Sequence, residues 1–105
     1  MKTPDTLVAR WLTAALEEYL DDLAALVNRD CGTAYKAGVD AVANWVEARM
    51  AALGAIVERR GHEQYGDMLL ARWPGQGKGR ILLSGHMDTV YPIGTAEQRP
   101  MRRAD

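Results

Sequence analysis

The chain has 105 residues, 48% hydrophobic and 26% charged, with 13 basic against 14 acidic side chains and a formal net charge of −1. That length holds one domain at most and should bury about 60–70% of its unfolded surface, and the balanced charge offers no basic field, which excludes nucleic acid as an expected partner. A single cysteine, Cys31, excludes an internal disulfide; with no leader-like segment and no apolar run long enough for a bilayer, no membrane association and a reducing cytoplasm are expected.

Thr3-Pro4 reads as a helix start, a hydroxyl at the N-cap and a proline at the first helical position. Leu12, Leu16, Tyr19, Leu23 and Leu26 then recur at spacings of four and three, with Glu17, Glu18, Asp21 and Asp22 on the other side. The pattern is an amphipathic helix of about six turns with a solvated acidic face. Asn28, Asp30, Gly32 and Thr33 break it with turn-favouring residues. A second helix follows from about Ala37, its stripe Val39, Val42, Val46, Met50 and Leu53, its stop Gly54. Trp45 lies beside the stripe and reads as core, and Cys31 as a small buried residue between the helices.

Beyond Gly54 the period becomes strand-like. Ala55–Glu58 is a short strand, Arg59–Gly66 a polar loop and Met68–Trp73 a second strand. Pro74–Gly79 is a tight connection to a third, Arg80–Ser84, so the last two strands should form an antiparallel hairpin. The expected class is α/β: two N-terminal helices followed by three strands.

The glycine-rich 75–79 segment does not bind phosphate, since it lacks the spacing of a phosphate loop and leads toward a strand rather than a helix N-terminus. His62 has only Glu63 beside it, too little for a metal. The remaining candidate is Ile81-Leu82-Leu83-Ser84-Gly85-His86-Met87-Asp88. An apolar run without alternation reads as a strand buried on both faces, and ligands of α/β sheets sit beyond such strand ends. Two residues apart on extended backbone, His86 and Asp88 share one side. One imidazole nitrogen can then bind a metal while the other donates to the carboxylate. Met87 would point inward. The triplet alone also fits a strand cap followed by a turn, and short motifs match by chance.

The stretch Ile81–Pro92, continued by Gly94-Thr95-Ala96 and Arg99-Pro100, resembles the glutamate-carboxypeptidase branch of the dinuclear zinc exopeptidases and deacylases. Val27–Thr33, Lys36–Asp40 and Gly66–Trp73 look like further segments of that branch, in the same order. The resemblance implies a mixed-sheet catalytic domain in which His86 is a zinc ligand and Asp88 the acid that orients it. It also implies two zinc ions acting on a peptide or N-acyl amino acid, and a full-length parent that is a homodimer through a lid-like second domain. The positions matching the bridging aspartate, the paired glutamates and the last histidine lie beyond Asp105. The expectation is therefore an incomplete catalytic domain, inactive alone. The alternatives are a non-catalytic truncated α/β module or an N-acyl amino acid deacylase.

Overall fold

The computed structural model describes residues 4–104, with side chains from residue 6 onward. The expected N-cap, Thr3, lies outside the described residues. The order is α1 (Pro4–Ala14), α2 (Leu16–Val27), α3 (Lys36–Ala52), β1 (Ile56–Arg60), β2 (Met68–Arg72) and α4 (Thr95–Gln98).

The long first helix is present as two pieces. They meet at Ala15, whose φ of −88° and ψ of 0° depart from helical values. The hydrogen bonds carry on across this joint, from Ala15 N to the Trp11 carbonyl at 3.0 Å and from Tyr19 N to the Ala15 carbonyl at 2.9 Å, so it is a bend rather than a break. Only the C-terminal half of the apolar stripe finds cover. Leu23 and Leu26 are half-buried, whereas Leu12, Leu16 and Tyr19 are exposed. The acidic face is not simply solvated: Glu18 and Asp22 both reach Arg49 of α3, at 2.6 and 3.0 Å, and Arg103 grips Glu17 with two bonds of 2.8 and 3.0 Å.

α3 supplies the core. Val39, Val42 and Cys31 are buried together, with Leu26, Val46 and Met87 packed against them. Cys31 and Met87 thus take the inward places their sequence context suggests, and Trp45 is half-buried. The C-terminus of α3 is closed as its sequence predicts. Gly54, at φ 90°, adopts the left-handed conformation that suits glycine, Gly54 N donates to Ala51 O and Ala55 N to Met50 O, both at 3.0 Å, which satisfies carbonyls left free by the last turn. Trp73 adds a third closure, its indole N–H donating to Leu53 O at 3.0 Å.

β1 and β2 pair antiparallel, Val57 opposite Ala71 and Arg59 opposite Leu69. These four residues are half-buried on the face toward α3 and alternate with exposed neighbours. The expected third strand and its hairpin with Met68–Trp73 do not form. Arg80–Ser84 has no strand pairing, and Ile81, Leu82 and Leu83 are 90%, 83% and 90% exposed. An apolar run becomes a strand only when another edge takes up its N–H and C=O groups, and among the described residues the sheet stops at two strands.

The architecture is open as a result. The radius of gyration is 16.6 Å, against about 13 Å for a compact chain of this length. The accessible surface is 8867 Å², where a compact monomer of this mass exposes roughly 5,800 Å². The expected burial of 60–70% is not reached; about half of the unfolded surface is covered. No helix is long and apolar enough to cross a membrane among the described residues.

With a small apolar core, charge holds the hairpin to α3. Asp67, at the end of the β1–β2 connection, accepts from Lys36 Nζ at 2.9 Å, Arg59 Nε at 2.8 Å and the His62 amide at 3.2 Å. Its own N–H donates to Asp40 at 2.8 Å, and Arg59 continues to Asn44 and Glu47 of α3. Lys36, then Arg59 and the His62 amide, lower the Asp67 carboxyl to about 2. His62 shapes the same connection, its Nδ1 accepting the Gln64 and Tyr65 amides at 3.1 and 2.9 Å. It is a turn-former.

Three outcomes follow. Because the folded pKa of Asp67 is depressed, its contribution to stability is present above the ordinary carboxyl value of 3.8 and is lost as pH falls through about 2. Urea unfolding followed between pH 4.5 and 2 should show that loss, and Asp67→Asn should flatten it while lowering stability at neutral pH. At Gly66 an added Cβ would lie 2.1 Å from Val39 Cγ1. Gly66→Ala should cost about 1–3 kcal/mol through overpacking, read as a lower denaturation midpoint at unchanged m-value. Finally, the exposed run at 81–83 and the unpaired sheet edges should drive concentration-dependent self-association. A monodisperse monomer by sedimentation, melting in one sharp step, would contradict this.

Candidate functional site

The site is assembled on the loop between α2 and α3. Thr89 N donates to Cys31 O at 2.8 Å and Thr33 N donates to Thr89 O at 3.1 Å, a parallel bridge centred on Gly32 and Thr89. Gly32 is required by close approach: a Cβ there would stand 2.8 Å from the Tyr91 carbonyl oxygen. Further along, the Asp30 carboxylate accepts Gly94 N at 2.9 Å and Ala96 N at 3.1 Å, tying down the start of α4. These two amides, Gly94 first, hold the Asp30 carboxyl below its ordinary value. Asn28 Oδ1 takes Met101 N at 2.7 Å. With Cys31 Sγ also donating to the Met87 carbonyl at 3.4 Å, the loop between the helices fixes the chain on both sides of Asp88.

His86 and Asp88 come together. His86 Nδ1 lies 2.9 Å from the backbone carbonyl of Asp88 and 3.1 Å from Asp88 Oδ1. Both partners are acceptors, because Asp88 is a carboxylate whose pKa is lowered chiefly by the Thr33 hydroxyl and secondarily by His86. Nδ1 therefore carries the ring proton, which leaves the Nε2 lone pair free to act as acceptor or ligand. The other carboxylate oxygen is taken as well, Thr33 Oγ1 donating to Asp88 Oδ2 at 2.5 Å.

The imidazole does not face an enclosed cavity. Its side chain is 81% exposed, while that of Asp88 is 34% exposed. A shallow cavity of about 250 Å³ lies nearby, lined by Val27, Asp30, Thr89, Tyr91 and Arg99 among others, without His86. Among the described residues no three His, Cys, Asp or Glu side chains converge where a metal could be held. The donor set thus fits one ligand position, an imidazole backed by a carboxylate, rather than a complete zinc centre. His62 Nδ1 is taken by the Gln64 and Tyr65 amides of the β1–β2 connection.

Sequence reasoning reads Asn28, Asp30 and Thr33 only as turn-favouring residues. Thr33 and Asp88 are separated by 55 positions, and no spacing rule links them. The available signal was the likeness of Val27–Thr33 to a family segment, which marks the stretch without saying what its side chains hold.

These features define a class: a small mixed α/β unit presenting an exposed histidine whose inner nitrogen is held by an acid. A particular relative stands behind it. The chain is 37% identical over 82 residues to carboxypeptidase G2 of Pseudomonas sp. (strain RS-16), a match covering 76% of this chain and 20% of that protein. The chain therefore spans about a fifth of the length of that relative, and the similarity supports a carboxypeptidase-like relationship. No family model matches the chain, and no solved structure matches it.

Gly32→Ala tests how the site is assembled. Its Cβ would push on backbone rather than on a flexible side chain, so residues 89–91 must move away from the helix-connecting loop. The Thr89 amide should lose its protection against hydrogen exchange while amides of the β1–β2 pair keep theirs. Unchanged protection at Thr89 would show that the bridge tolerates the methyl group.

Proposed function

We propose that the chain is the N-terminal part of a zinc-dependent hydrolase of the carboxypeptidase type, which cleaves an amide bond beside a carboxylate, with a C-terminal glutamate as the favoured leaving group. The observation that carries this reading is the His86 Nδ1 contact with Asp88, which turns Nε2 outward as a ligand. The 37% identity to carboxypeptidase G2 supports it. His86 is the metal ligand in this reading, and Asp88 the acid that sets its tautomer. Bound zinc would polarise the scissile carbonyl and make hydroxide available at neutral pH. Asp88, fully engaged by His86 and Thr33, does not serve as general base; that group and the remaining ligands belong to a longer parent protein. Substrates of the parent are peptides or N-acyl amino acids, and the parent is a homodimer.

Zinc titration of the 105-residue chain, followed by the ¹⁵N signals of the His86 ring, tests the assignment. Weak binding that moves Nε2 and disappears in His86→Ala is expected, together with no hydrolysis of N-acyl glutamate by the isolated chain. Zinc that leaves His86 unmoved would remove the ligand role. Zinc-dependent glutamate release by this chain alone would overturn its inactivity.

A further inference from the structure

We propose that Thr33 is a positioning residue for His86, acting through Asp88; as a statement about a metal ligand, this rests on the zinc reading above. A carboxylate at the tip of an aspartate can rotate about its last side-chain bond, and an exposed one has water competing for both oxygens. Here each oxygen has its own partner. Oδ1 faces His86 Nδ1 at 3.1 Å, beside the Asp88 carbonyl oxygen at 2.9 Å, and Oδ2 accepts from the Thr33 hydroxyl at 2.5 Å. With Oδ2 anchored, the carboxylate plane is set and Oδ1 stays directed at the ring.

The anchor is itself held by backbone bonds. The Thr33 amide donates to Thr89 O at 3.1 Å, and Thr89 N is held by Cys31 O at 2.8 Å. The hydroxyl also lies 3.3 Å from Thr89 O. Thr33 thus holds both the side chain of Asp88 and the backbone that follows it. Charge-assisted O–H···O⁻ bonds are among the stronger hydrogen bonds, and outer partners of this kind are what fix the orientation of a metal-binding imidazole. Position 33 requires a hydroxyl; the methyl group of threonine is dispensable.

The ring ¹⁵N spectrum of His86, recorded at mildly alkaline pH, reads the tautomer directly and needs no metal or activity. The wild-type chain should show Nδ1–H as the dominant form. Because the Asp88 carbonyl, 2.9 Å from Nδ1, also accepts the ring proton, Thr33→Val should raise the Nε2–H fraction measurably without abolishing Nδ1–H, and Thr33→Ser should restore the wild-type spectrum. In an Asp88→Asn background Thr33→Val should add nothing, as expected of residues acting in series. Hydrogen exchange at the Thr89 amide reports whether the bridge survives, and Thr33→Ala replaces Thr33→Val if the valine disrupts it. An unchanged tautomer ratio in Thr33→Val or Thr33→Ala, or failure of serine to restore it, would overturn the proposal. Zinc addition separates the two readings: a wild-type chain with the Thr33-dependent tautomer but no zinc response at Nε2 retains the positioning and loses the metal role.

Discussion

Two backbone hydrogen bonds, Thr89 N to Cys31 O and Thr33 N to Thr89 O, are the constraint on which the candidate site depends. They join segments far apart in sequence, and they exist because position 32 has no side chain to keep the two backbones apart. Once this bridge is made, Met87 falls into the core beside Cys31, Val39 and Val42. His86 and Asp88, on the other side of the extended backbone, are left outward and together. The order of causes runs from a missing Cβ, through a parallel bridge, to a directed imidazole.

Elsewhere the molecule relies on charge where larger domains rely on apolar burial. Asp67 gathers Lys36, Arg59 and a backbone amide, Arg49 joins α3 to α2, and Arg103 grips Glu17. Exposed ion pairs are individually weak, but the Asp67 group is a connected network with only 16% of its carboxylate side chain exposed. It holds the β1–β2 connection onto the first turn of α3 while the apolar core beneath stays small. The same economy leaves Ile81–Leu83 without a place to go.

Where sequence patterns report local physics they transferred well to the structure. The α3 stripe as far as Met50, the Gly54 stop, the two strands that follow it and the inward Met87 each follow from a periodicity of a few residues or from a single conformational preference. Leu53, by contrast, is exposed, and β1 runs on through Arg59 and Arg60, which read as loop. The His86–Asp88 contact was legible for the same reason, since two positions apart on extended backbone determine a shared side. What failed was non-local. Reading Arg80–Ser84 as a buried strand assumed neighbouring edges that this chain does not supply, and reading one amphipathic helix from the first stripe assumed cover that Leu12, Leu16 and Tyr19 do not find. Thr33 and Asp30 were invisible because their partners are brought to them by the fold and not by spacing. The acidic face of α2 reads as solvated in the sequence because its partners, Arg49 and Arg103, are distant along the chain.

The exposed stretch from Trp73 to Gly85 has a topological consequence. It links the helix–hairpin body to the segment carrying His86, yet that segment is fastened by bonds from Cys31, Thr33, Asp30 and Asn28 rather than by the stretch itself. A protease finds its easiest cleavage in such a place. A single nick there would leave the two pieces associated, with the imidazole still seated on a polypeptide to which it was no longer covalently joined.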